Sequence, residues 1–166
     1  TEATKGFLDG DNETGIARQD IEKVIFVNSL DDVVDGDMPY IWNSDEKTWN
    51  IKSGIQKVWD VSAQGDDSIL AWTTQISAPY TVYIGSEYEI FANQISSYLF
   101  SYIGYGTNCD ETEVVTNLNL LNTNSVTDMS YMFNNFGYRA MTIFNLGAFD
   151  TADVTNMTNM FNNCGN

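Results

Sequence analysis

Apolar and polar residues alternate in short runs along the first half of the chain. The first run, IEKVIFV, is rich in β-branched and aromatic residues, as expected of a half-buried strand. Four more such runs follow, separated mostly by short Gly-, Ser- or Asp-containing connectors: 56–63, 68–76, 80–86 and 87–92. The last two are predicted to pair through a turn near Gly85 and Ser86. Closely spaced strands without intervening helical patterns predict an antiparallel β-meander.

The second half of the chain repeats a phrase. The sequence VTDMSYMFNN at 126–135 returns as VTNMTNMFNN at 154–163, with seven of ten residues identical and a separation of 28 residues. The shorter phrase SSYLF at 96–100 resembles MSYMF at 129–133 and indicates an earlier, degraded copy. A fixed period of this length is typical of arrays in which equivalent positions stack on one another.

Each copy divides into two halves. The segments TNLNLLNT (116–123) and TIFNLGAFDT (142–151) alternate with period two, which predicts a strand. In the phrase that follows, apolar residues recur at the spacing of one face of a short helix: Val126, Met129, Met132 and Phe133, then Val154, Met157, Met160 and Phe161. The four methionines are therefore predicted to lie in the core, and Cys164 is predicted to be a buried free thiol.

These patterns predict a β-rich α/β protein. Its fold class is a leucine-rich-repeat-like solenoid, with a strand and a short helix per coil, preceded by an N-terminal antiparallel β capping region. We expect a flexible acidic lead-in over residues 1–19, a β-rich cap over 20–95, and about two and a half coils over 96–166 that continue in a longer parent protein.

The charge of the chain restricts its partners. The 166 residues carry a formal net charge of −16, and Arg139 is the only basic residue after Lys57. Nucleic acids and anionic membrane surfaces both require cationic side chains, so neither is an expected partner. No run of apolar residues is long enough for membrane insertion as a helix.

The residue types also argue against catalysis. The chain contains no histidine, which removes the most common general base and transition-metal ligand. Its two cysteines, Cys109 and Cys164, are too few for a cysteine-only zinc site, and the sequence leaves open whether they form a bridge. We therefore predict no enzyme activity and no cofactor.

The repeats VTDMSYMFNN and FDTADVTNMTNMFNNC resemble those of the BspA-like leucine-rich-repeat surface proteins of bacteria. The resemblance extends upstream through FVNSL, WDVSAQGDDSILAW, YTVYIGSEYEIFA and SSYLF, in that order. It implies export, display on the cell surface and a non-enzymatic role in adhesion or ligand binding.

Candidate ligand contacts follow from the predicted sheet of the repeats. Its outward positions are Asn117, Asn119, Ile143 and Asn145, and amides and apolar side chains suit a protein or glycan partner on a host or neighbouring cell. The alternative is that these are simply solvated strand positions. For metals, the acidic segment DDVVDGD offers the weak calcium candidates Asp31, Asp35 and Asp37.

Two functions follow from the sequence. The first is a surface-displayed adhesion or binding module. The second is a structural subunit that self-associates through the ends of the solenoid into a filament or surface layer, because a heterologous contact that does not close generates filaments.

Overall fold

The computed structural model of the chain describes residues 14–31, 52–63, 65, 68–106, 113–138 and 145–165. Seven strands lie within these ranges: β1 (Ile21–Val27), β2 (Lys57–Asp60), β3 (Leu70–Thr73), β4 (Tyr80–Gly85), β5 (Ile90–Phe91), β6 (Val115–Thr116) and β7 (Leu121–Asn122). The helices of the described residues are two single 3₁₀ turns, Arg18–Asp20 and Leu118–Leu120. Neither is long or apolar enough to cross a membrane.

Five of the strands form one mixed sheet in the order β2-β3-β4-β1-β6. Strands β2, β3 and β4 are antiparallel neighbours, whereas β1 runs parallel to both β4 and β6. The predicted antiparallel cap is therefore wrong in its topology. Alternation indicates which side chains of β1 are buried, namely Ile21, Val24 and Phe26, but it carries no information about which strands lie on either side.

The predicted hairpin of residues 80–86 and 87–92 is also wrong. After β4 the chain leaves the sheet, and β5 pairs in parallel with β7, where Ile90 lies opposite Leu121. Gly85 is the last residue of β4, where the chain leaves the sheet. A Cβ atom there would come within 2.8 Å of the Ser29 carbonyl oxygen and 2.9 Å of the Trp72 ring. The close approach requires glycine for steric reasons rather than for a hairpin turn.

The repeated phrases form neither helices nor strands but a stack of turns. We name its three ten-residue segments layer 1 (95–104), layer 2 (128–137) and layer 3 (156–165). Within each layer every second backbone N–H group donates to the carbonyl three residues earlier, as from Met132 to Met129 at 3.2 Å. The residues between them donate to the next layer, as from Phe100 to Met132 at 2.9 Å and from Phe133 to Met160 at 2.8 Å.

Backbone conformation explains why no helix forms. Two non-glycine residues of every layer have positive φ: Tyr98 and Tyr102 in layer 1, Tyr131 and Asn135 in layer 2, and Asn159 and Asn163 in layer 3. Each layer ends in a positive-φ glycine at 104, 137 or 165. A helix requires continuous right-handed φ and ψ values, so this alternation prevents one. The predicted leucine-rich-repeat-like solenoid is wrong: the described residues form a small, mostly-sheet domain without a closed solenoid.

One hydrophobic core joins the sheet to the stack of turns, since its buried members run from Ile16 to Met160. A column of phenylalanine rings crosses the layers. Phe100 stacks on Phe133 at 5.3 Å between centroids, and Phe133 stacks on Phe161 at 5.6 Å. The burial predicted for Met129, Met132 and Met160 is confirmed, but Met157 is 46% exposed because it lies on the outer side of layer 3.

Candidate functional site

Two adjoining grooves, each of about 600 Å³, open on the surface where the sheet meets the stack of turns. The first lies between the β2–β3 connection, at residues 61–63 and 68–69, and the segment formed by residues 86 and 88–97. The second lies between residues 87–90 and residues 119–122 and 124, and its remaining lining residues are Val27, Asn28, Ala148 and Asp150. Four residues line both grooves: Tyr88, Glu89, Ile90 and Leu121. The two grooves therefore share these four residues and differ in the rest of their lining.

Tyr88 lines both grooves, and local hydrogen bonds fix its backbone. The Ser86 hydroxyl donates to the Ser68 carbonyl at 2.7 Å and accepts from the Tyr88 N–H at 3.0 Å. The tyrosine side chain is 76% exposed. A tyrosine presents an apolar ring and a polar hydroxyl together, which is why this residue type is enriched at interfaces.

Two further apolar side chains are exposed in the lining of the first groove, Phe91 at 52% and Ile95 at 59%. Much of the rest of this groove is lined by serines and by Asn93 and Gln94. Large apolar side chains exposed around a concavity, with uncharged polar groups beside them, are the usual composition of a binding site.

The carboxylates of the grooves hold the local structure. Glu87 Oε1 accepts the Leu30 N–H at 2.6 Å, and Glu89 Oε1 accepts the Asn122 side-chain amide at 2.6 Å. Asp150 Oδ1 accepts the Ala152 N–H at 2.9 Å. Among the residues that line the two grooves in the described part of the chain there is no lysine or arginine. The electrostatics therefore disfavour an anionic ligand.

The structure describes three of the four sequence-predicted contact residues, Asn117, Asn119 and Asn145. Asn119 is exposed and lines the second groove. Asn117 has φ 59° before the 3₁₀ turn Leu118–Leu120, where a strand was predicted, and its amide donates to the Phe26 carbonyl at 2.9 Å. Asn145 is exposed and accepts the Gly147 N–H at 2.8 Å. Ile143 lies outside the described residues.

The candidate metal ligands are only partly described. Asp31 is exposed, its N–H donates to the Ser29 hydroxyl at 2.9 Å, and its carbonyl accepts from the Lys52 ammonium. Asp35 and Asp37 lie outside the described residues. Within the described ranges no three or more Cys, Asp or Glu side chains converge in a way that would hold a metal ion.

The residues that dominate the grooves were missed at the level of sequence. Tyr88, Phe91 and Ile95 lie in or near a run that alternates like a strand. The pattern therefore predicts residues of a sheet rather than residues that line a groove. The property that distinguishes them is the short length of the strand, because β5 contains only Ile90 and Phe91. Periodicity over six residues does not show that length.

Known proteins were compared with the whole chain. Residues 105–166 match a family described as "Mycoplasma protein of unknown function, DUF285". No significant match was found among curated proteins, and none among solved structures. The matched range contains layers 2 and 3 and all the residues after position 100 that line the second groove. The similarity therefore concerns the repeated part of the chain.

Proposed function

We propose that this protein is a non-enzymatic binding module of the bacterial cell surface that holds a protein or glycan partner in its two adjoining grooves. The observation that carries the proposal is Tyr88, 76% exposed on the ridge that both grooves share, with Phe91 and Ile95 exposed beside it. Leaving three large apolar side chains in water is unfavourable, and binding a partner would remove that cost.

The lining defines the chemistry of the partner. The aromatic and aliphatic side chains suit a flat apolar surface, such as the C–H face of a sugar ring or a peptide side chain. The serine hydroxyls and the Asn119 amide suit hydroxyl or amide groups at its edge. The absence of positive side chains among the described lining residues favours a neutral or basic partner over an acidic one.

Two features of the chain support a role without catalysis. The sequence has no histidine, and the groove carboxylates of Glu87 and Glu89 already accept hydrogen bonds from Leu30 and Asn122. The resemblance to BspA-like surface proteins supports display on the cell surface. The similarity of residues 105–166 to a Mycoplasma family adds a bacterial relationship and no activity.

The test is binding of the purified chain to arrays of glycans and of host surface and matrix proteins. Tyr88→Ala is expected to weaken binding to any partner found by about tenfold or more, as for a central aromatic contact. Ile76→Ala is the matched control, because Ile76 is 80% exposed and lines neither groove. Equal binding by wild type and Tyr88→Ala would remove the grooves from consideration.

A second pair of variants tests the face predicted from sequence. Asn119→Lys places a bulky cation in the second groove, whereas Asn145→Lys places one at an exposed position that lines neither groove. We expect only the first to weaken binding. An equal effect of both would favour the outward face of Asn117, Asn119, Ile143 and Asn145 over the grooves. The alternative function, self-assembly, would appear in analytical ultracentrifugation as a mass that rises with protein concentration.

A further inference from the structure

Residues 91–95 line the first groove and form the free side of a strand, which we name the open edge. Strand β5 pairs with β7 alone among the described residues, and the Ala92 N–H donates to the Asn122 carbonyl at 2.9 Å. In a parallel pair, successive residues of one strand alternate between bonding to the partner strand and pointing away from it. The N–H and C=O groups of Phe91 therefore point away from β7.

The same direction recurs at the other end of the open edge. The Gln94 carbonyl accepts the Asp128 N–H at 3.3 Å, and the Ser96 N–H donates to the Asp128 carbonyl at 2.9 Å. Ile95, between them, forms a parallel bridge with Asp128, so its own N–H and C=O point away from layer 2. On this outer side the backbones of Phe91 and Ile95 have no hydrogen-bond partner among the described residues. Such an edge is a template for an added strand.

The side chains along the open edge alternate as in a strand. Phe91 is 52% exposed, whereas its neighbours Ile90 and Ala92 are buried. Across the groove, Val61 and Ile69 are partly buried and pack against the same core. An extended peptide beside β5 would turn alternate side chains inward onto these apolar residues and place the intervening ones beside Phe91. Main-chain pairing of this kind needs amide groups at a two-residue period, which a glycan lacks.

The charge of the groove limits which peptides fit. The exposed Glu89 lines the first groove, and no described residue of its lining is a lysine or an arginine. The net charge of −16 also gives the whole chain a negative potential. A peptide with a lysine or arginine complements this surface, and an acidic peptide is repelled by it.

We propose that the first groove binds a basic, extended peptide segment of a partner protein by strand addition to the open edge. The inference rests on the proposed function and narrows its partner from a protein or glycan to a peptide. The N–H and C=O groups of the peptide pair with those of Phe91 and Ile95. One apolar side chain of the peptide lies against Val61 and Ile69, and a lysine or arginine lies near Glu89.

The experiment screens the full chain against a library of immobilised short linear peptides and measures the best binders in solution by fluorescence anisotropy. We expect binders that combine an apolar residue with lysine or arginine. Phe91→Pro removes the outward N–H but leaves the bond from Ala92 to Asn122, and it should weaken binding by about tenfold or more. Phe91→Val keeps the N–H and should weaken binding less. N-methylation along the peptide should weaken binding at every second position only.

Hydrogen exchange of the wild-type chain gives a readout that does not depend on the folding of a variant. With saturating peptide, the amides of Phe91 and Ile95 should exchange about tenfold more slowly or less, because each becomes hydrogen-bonded. The amide of Ile76, a residue that lines neither groove, should be unaffected.

Four results would overturn the proposal: no peptide bound at concentrations up to about 1 mM, equal preference for acidic peptides, unchanged exchange of both open-edge amides, or N-methylation effects without a two-residue period. Glycan binding that depends on Tyr88, in a chain that binds no peptide, would overturn strand addition and leave the proposed function standing. Absence of binding to peptides, glycans and proteins alike would overturn both.

Discussion

At the scale of the residue, the side-chain hydrogen bonds between layers show which polar groups have partners. Asn162 donates to Asn134 across one layer boundary. The equivalent residue in layer 1 is Ser101, which is buried and whose hydroxyl has no hydrogen-bond partner among the described residues. A buried hydroxyl without a partner costs free energy relative to an apolar group of the same shape.

Replacing this serine should therefore stabilise the fold. We expect Ser101→Ala to raise the free energy of unfolding by about 1 kcal/mol, because it removes the unpaired hydroxyl and leaves the backbone bond from Ser101 to Tyr98 intact. Asn134→Ala should destabilise the fold, since it leaves the Asn162 amide without its acceptor. Urea denaturation of both variants measures the two signs, and a destabilised Ser101→Ala variant would contradict this view of the site.

The carboxylate of Asp128 gives a pH-dependent contribution. Desolvation by partial burial raises the pKa of Asp128, but hydrogen bonds from the Ser130 side chain and backbone and from Asn156 outweigh it and hold the pKa below its ordinary value. A carboxylate with a lowered folded-state pKa stabilises the fold above the unfolded pKa of about 4. That contribution is lost as the pH falls through the folded-state value.

Comparison with Asp128→Asn isolates this effect. We expect wild type to be more stable than the variant at neutral pH, with the difference shrinking as the pH is lowered below about 4. Asp153→Asn, at an exposed carboxylate immediately before the second copy of the phrase, is the control for the change in net charge. Thermal melts from pH 7 to pH 3 measure the difference. A gap between wild type and Asp128→Asn that stays constant over this range would contradict the assignment.

At the scale of the element, each layer depends on residues that accept positive φ. Gly104 and Gly165 occupy the same position in layers 1 and 3, with φ of 68° and 66°. A Cβ atom on Gly104 would lie 2.9 Å from a Val114 methyl group, whereas a Cβ atom on Gly165 would meet nothing within 4 Å. The two glycines thus share a backbone requirement and differ in their surroundings.

Alanine at these two positions separates strain from crowding. Gly165→Ala should cost about 1 kcal/mol from the positive φ alone. Gly104→Ala should cost about 2 kcal/mol or more, because the added methyl group also displaces Val114 from a packed core. Chemical denaturation gives both values. Equal losses for the two variants would show that the contact with Val114 relaxes without cost.

At the scale of the whole molecule, the sheet and the stack of turns share one core. Phe26 of β1 contacts Phe100 of layer 1 edge to face at 6.2 Å, and Phe100 stacks on Phe133 of layer 2. The Val24 N–H of β1 donates to the Val114 carbonyl at 2.8 Å, which ties the sheet to the chain that leads into the repeats. Loss of either part would expose buried faces of the other.

We therefore expect residues 20–95 and 96–166 to unfold together. Denaturation followed by tryptophan fluorescence, to which Trp59 and Trp72 of the sheet contribute among the chain's four tryptophans, and by far-ultraviolet circular dichroism should give coincident transitions. Phe133→Ala, in layer 2, should shift both signals by the same amount and cost about 3–5 kcal/mol. Two separate transitions would instead support the domain boundary near residue 95 predicted from sequence.

The sequence by itself determined the local properties of this protein. The repeated phrase places Met129, Met132 and Phe133 on a buried face, and alternation places a strand at Ile21–Val27. Both follow from short-range periodicity, because the side of an element that must leave water is encoded in the residues of that element. The lack of histidine and the acidic balance are likewise properties of the chain alone.

Only the tertiary structure decided the rest. The parallel position of β1, the pairing of β5 with β7 and the ridge of Tyr88 between two grooves all join residues far apart in sequence, and periodicity carries no information about such partners. Positive φ at Tyr98 and Tyr131 turned a helical apolar spacing into stacked turns. Met157 shares the pattern of Met129 but is exposed, because burial depends on whether another layer lies against it.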